Sequence, residues 1–108
     1  MSTVADILPY MQNWLDARAA LAASTTTWTA ARTSVTAART AISARVAAGD
    51  TALAMSALVT TYITARGAYI TQDAIQRAAV DLTNARWATL GQMEELLATG
   101  QDVPVFGG

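Results

Sequence analysis

Eight carboxylates, seven arginines and the hydroxyls of Ser, Thr and Tyr are the main chemical repertoire of this 108-residue chain, which has no His, Cys or Lys. Without imidazole there is no side chain that titrates near neutral pH as a general base, and no nitrogen ligand for a metal. Without thiol there is neither a sulfur nucleophile nor a sulfur-ligated zinc. The absence of Lys removes Schiff-base and Walker-type phosphate chemistry. Two carboxylates could still hydrolyse a glycoside, but a short helical chain rarely builds the cleft that holds a sugar. The expectation is a protein that is not an enzyme and takes no cofactor or metal.

The charged residues read mostly as surface. Glu94 and Glu95 are adjacent, so on a helix they point about 100° apart and share neither a proton nor a metal well. Asp73, Arg77 and Asp81 follow one another at i,i+4, a ladder on a solvated face worth about 0.3–0.5 kcal/mol per pair. Net charge is −1, with arginines spread from Arg18 to Arg86. That gives no basic stripe to displace counterions, so nucleic acid is not an expected partner. The longest uncharged run, 51–65, contains four Thr and falls short of the roughly 20 apolar residues that span a membrane. Its first residues lack the positive n-region of a signal peptide.

Positioning these residues falls to helices. Apolar residues Val4, Ile7, Leu8, Met11, Trp14, Leu15 and Leu21 recur at helical spacing. Thr3 with Asp6 forms a capping-box pattern, but Asp6 as the cap accommodates Pro9 better and is preferred. Four hydroxyl residues, 24–27, predict a first break. A second helix over about 28–48 carries a repeat, residues 29–35 returning as 36–42. Trp28, Val35 and Ile42 thus share one seam, with Ala31 and Ala38 beside it. The spacing slips at Ser43, so a long coiled coil is not expected. Gly49-Asp50 reads as a helix stop followed by a cap. The next stretch, with Leu53, Leu58, Val59 and Ile63, is apolar on several sides and predicts a central helix. A stop or a kink near Arg66-Gly67 leads to a last helix over about 72–99, with Ile75, Ala78, Leu82, Ala85, Leu90, Met93 and Leu97 on one face. The expected fold is an all-α bundle of three to four helices over 1–100, with an extended C-terminal arm over 101–108.

Hydrophobic types make up 53% of the chain, but 25 of those residues are Ala, and only 14% of all residues are charged, against roughly 25% in ordinary soluble domains. The 16 Thr are mediocre helix formers. Small, uncharged exteriors of this kind suit burial against another protein surface. On this basis the expected interface residues are Trp28, Arg32, Arg39 and Trp87, together with Val103, Val105 and Phe106 of the arm. Arg32 and Arg39, seven apart, either snorkel over their own seam or meet acids of a neighbouring copy.

Ala/Thr-rich helices followed by the arm at 102–108 resemble small all-helical virion proteins of tailed phages, such as neck or head–tail connector subunits and capsid-associated proteins. That resemblance implies a ring or lattice of identical subunits assembled in the host cytoplasm. Its partners would be copies of itself and neighbouring assembly proteins, and the arm could add a strand to a neighbouring sheet. In length, Ala content and lack of Cys, the chain also resembles export-linked helical hairpins of the WXG type. Their Trp-x-Gly turn is replaced here by Trp14-Leu15-Asp16, Trp28-Thr29-Ala30 and Trp87-Ala88-Thr89. That likeness implies the alternative, a helical adaptor or exported protein binding one partner helix.

Overall fold

In the computed structural model, which describes residues 1–107, the chain is all-helical and has two long helices. Helix α1 spans Val4–Ala47 and α2 spans Ser56–Ala98, 44 and 43 residues respectively. The expected three- to four-helix bundle is therefore corrected to a helical hairpin of two uninterrupted helices. Neither 24–27 nor 66–71 breaks a helix. Hydroxyls elsewhere in the two helices bond back to the preceding turn. Thr33 donates to the Thr29 carbonyl at 3.0 Å and Thr71 to the Gly67 carbonyl at 3.2 Å, and Thr36, Thr60, Thr61 and Thr89 do the same.

The ends of the helices follow from local chemistry. Thr3, not Asp6, is the N-terminal cap: its N–H donates to Asp6 Oδ2 at 2.7 Å, and the Asp6 N–H returns a bond to the Thr3 carbonyl at 3.0 Å. Pro9 consequently lies inside α1. The carbonyl it leaves without a helical donor belongs to Ala5, which is exposed to water. Gly49, at φ +80°, closes α1 as expected, with the Asp50 N–H reaching the Arg45 carbonyl at 3.1 Å. Asp50 does not cap α2; it pairs with Arg45 at 2.9 Å, and turns over 52–55 intervene. Gly100, at φ +75°, ends α2 in the same way, with the Gln101 N–H on the Leu96 carbonyl at 2.8 Å.

The chain divides into two compact units. The first joins Met1–Ala23 to Arg77–Gly108, and its core holds Ile7, Tyr10, Leu90, Met93 and Val103, with Trp14, Leu96 and Leu97 packed against them. The C-terminal segment completes this core: Val103 is buried, and its N–H donates to Ser2 Oγ at 2.8 Å. The second unit, Ser24–Gln76, is a helix–turn–helix hairpin in which Ala38 alone among the described hydrophobics is buried. The stretch from Leu53 to Ile63 is no central helix. Leu53 is 85% exposed, Ile63 is 63% exposed, and Val59 is exposed as well.

Shielded positions on both helices follow one spacing. Along α1 they are Ile7, Tyr10, Trp14, Ala17, Leu21 in the first unit and Ser24, Trp28, Ala31, Val35, Ala38, Ile42 in the second. Steps of three and four alternate without a fault, so the heptad spacing runs through five repeats, from Ile7 to Ile42, rather than the two read around Trp28. Large residues occupy one line, and from Ala17 onward Ala and Ser occupy the other. On α2 the same steps select Leu58, Tyr62, Ala65, Tyr69, Gln72, Gln76, Ala79, Thr83, Arg86, Leu90, Met93 and Leu97. Four polar residues in the middle of that line hide it from a hydrophobic pattern. Ile75 and Leu82, expected on the buried face, are exposed instead.

Candidate functional site

Each expected interface residue has a definite place. In the second unit, the Trp28 indole Nε1 donates to Asp73 Oδ1 at 3.1 Å, and its ring lies 6.3 Å from that of Tyr69. The Arg32 guanidinium stacks over Trp28, 5.7 Å from the ring centroid. Arg39 stacks over Tyr62 at 5.6 Å and donates from Nη2 to its hydroxyl at 2.9 Å. That bond, with the added positive field of Arg66, holds the Tyr62 hydroxyl below the ordinary tyrosine pKa, because both stabilise the phenolate. Arg32, Val35, Arg39, Tyr62, Arg66 and Tyr69 line one open groove of about 300 Å³. Sequence reasoning found Arg32 and Arg39 but missed Tyr62, Arg66 and Tyr69. The α2 heptad, had it been read through its polar positions, would have brought Tyr62 and Tyr69 opposite them. A second groove of this unit, about 450 Å³, is lined by small residues, among them Ala31, Ser34, Thr61, Thr64 and Ala68.

In the first unit, Trp87 is 56% exposed and its ring sits 4.7 Å from that of Trp14, over which Arg18 stacks at 5.5 Å. Arg86 is half-buried and donates to the Asn13 carbonyl at 2.9 Å. Thr83, the one buried polar side chain among the described residues, donates to the Ala79 carbonyl at 2.8 Å and lies 3.3 Å from the Ala17 carbonyl.

The arm lies on its own chain. Tyr10 donates its hydroxyl to the Pro104 carbonyl at 2.6 Å, and Phe106 meets the Tyr10 ring edge-on at 5.1 Å. Val103 is buried in the same core, whereas Val105 points into solvent at 83% exposure. The seven candidates therefore separate: Trp28, Arg32 and Arg39 form one cluster in the second unit, and Trp87 and the arm residues belong to the first.

Beside the buried seam of the first unit runs a second apolar line. Val4, Leu8, Met11 and Leu15 repeat the four–three–four spacing one residue on from Ile7 and Tyr10, and all four are exposed. On α2 in the second unit, Val59, Ile63 and Ile70 are likewise exposed. Among the described residues no cluster of acids could hold a metal ion, no buried side-chain polar atom lacks a hydrogen-bond partner, and no helix is long and apolar enough to cross a membrane. No family model, no curated protein and no solved structure matches the chain.

Proposed function

We propose that this chain is a non-enzymatic structural subunit whose helices complete their burial against other copies of itself. The observation that carries the reading is the second seam, Val4, Leu8, Met11 and Leu15, spaced for helix packing and left open to water. A unit in which Ala38 is the one buried hydrophobic gains from a partner, since paired helices draw most of their stability from packing. Repeating assemblies of small helical subunits in virions are the class this chain resembles, and we assign it there, as a connector, neck or capsid-associated component.

The test is sedimentation velocity of the full chain with a Leu8→Glu, Leu15→Glu variant. The wild type is expected to associate and the variant to shift towards the 11.3 kDa monomer with its helicity retained. A wild type that remains monomeric at every concentration overturns the reading. The helical-hairpin architecture favours a second reading, an adaptor or exported protein binding one helix of a different protein. A monomer or dimer that keeps such a partner after loss of 102–108 would favour that one.

A further inference from the structure

A net charge of −1 conceals a division. Within 24–76, four arginines face Asp50 and Asp73, a formal +2; in the other unit, three arginines face six acids, a formal −3. On the positive unit, Arg32, Arg39 and Arg66 line a single groove. Among the described residues none of the three has a carboxylate partner. Aromatic faces hold two of them, Arg32 over Trp28 and Arg39 over Tyr62, which limits the freedom they lose on binding. Each guanidinium has five N–H donors, of which Arg39 uses one on Tyr62 at 2.9 Å and Arg66 also engages the Tyr62 hydroxyl, leaving most of the donors of all three free of side-chain acceptors among the described residues. Such a fork matches carboxylates. Asp73, which neighbours this cluster, accepts the Trp28 indole N–H. On the negative unit, Asp81, Glu94, Glu95 and Asp102 are exposed, and among the described residues no hydrogen bond or ion pair engages their side chains. Glu94 follows the exposed Trp87 by seven residues, on the same line of α2.

We propose that copies of this chain associate with unlike units in contact, the Arg32–Arg39–Arg66 groove of one receiving the Glu94–Glu95 turn of another. This rests on the self-association proposed above and specifies its register. Contacts between like units would oppose +2 to +2 or −3 to −3, which electrostatics disfavours. A nucleic-acid strand is the competing occupant, and the −3 unit of the same chain repels it.

The test uses two full-length variants, Arg32→Glu with Arg66→Glu, and Glu94→Arg with Glu95→Arg, leaving Arg39 to hold Tyr62. Sedimentation velocity should show each variant alone weakened in self-association by about tenfold or more, and an equimolar mixture restored, because each then supplies what the other lacks. Wild-type association should weaken as NaCl is raised. Either variant associating alone as tightly as wild type, or a mixture no tighter than its parts, overturns the proposal. Circular dichroism checks that both variants fold; if the arginine variant does not, the wild-type salt series decides, and a salt-independent association overturns it. Wild-type gel shift of mixed-sequence DNA, abolished in the arginine variant while self-association persists, overturns it in favour of nucleic acid. A wild type that never associates removes the parent reading as well, and is distinguishable because no variant is then needed to see it.

Discussion

Tyr62 is where charge acts on a single residue. Because the Arg39 bond and the nearby Arg66 favour its phenolate, an ultraviolet pH titration should find one of the three tyrosines ionising early, and Arg39→Ala should move that step up towards the ordinary value. The sign for stability follows from a depressed folded-state pKa: the contribution is absent at neutral pH, grows as pH rises through the folded pKa, and is complete above the unfolded one. Packing at the residue scale is equally uneven. Leu90 is 2% exposed within the first unit's core, so Leu90→Ala should cost about 2–5 kcal/mol in urea unfolding. Leu53 is 85% exposed, and Leu53→Ala should stay within about 0.5 kcal/mol of wild type.

Among the elements, two glycines separate backbone need from tolerance. Gly67 lies inside α2 at an ordinary helical φ, and nothing stands within 4 Å of the Cβ it lacks. Gly67→Ala should therefore stabilise the helix by about 0.5–1 kcal/mol, seen as a higher urea midpoint. Gly49 sits at φ +80°, so Gly49→Ala should destabilise by about 1–2 kcal/mol in the same assay. Such differences explain what the sequence discloses and what it hides. Helical character, the Gly49 and Gly100 stops and the seam from Trp28 to Ile42 were legible because each rests on local chemistry. Helix continuity was not, because a run such as 24–27 has two outcomes: its hydroxyls can compete with the helix or fit within it. Here the seam residues Leu21, Ser24 and Trp28 decide for the helix. Ser24 donates to Gln76 at 2.8 Å and Gln76 to Thr25 at 2.8 Å, so this part of the seam is hydrogen-bonded rather than apolar. The arm's apolar residues read, in the sequence, as contacts for a neighbouring subunit, whereas Val103 and Phe106 lie on their own chain and Val105 is exposed. Their receptor, Tyr10 on the same chain, lies 94 positions away and leaves no local trace.

For the whole molecule, association has a thermal signature. If copies stabilise one another, the melting temperature of the wild type should rise with protein concentration, while that of Leu8→Glu, Leu15→Glu should not; a flat wild-type curve would contradict the proposed function. Chain connectivity has a further consequence. The hairpin 24–76 needs only the short passage between α1 and α2 to bend, whereas Tyr10 and Pro104 must find each other across almost the full polymer. Loop-closure entropy rises with the length of chain enclosed, so the 24–76 zipper is the affordable nucleus, and once formed it shortens the search of the two remaining ends. Kinetic measurements should then place Trp28 and Val35 early on the path and Tyr10, Leu90 and Val103 late, so that damage near the turn slows folding while damage near the ends hastens unravelling.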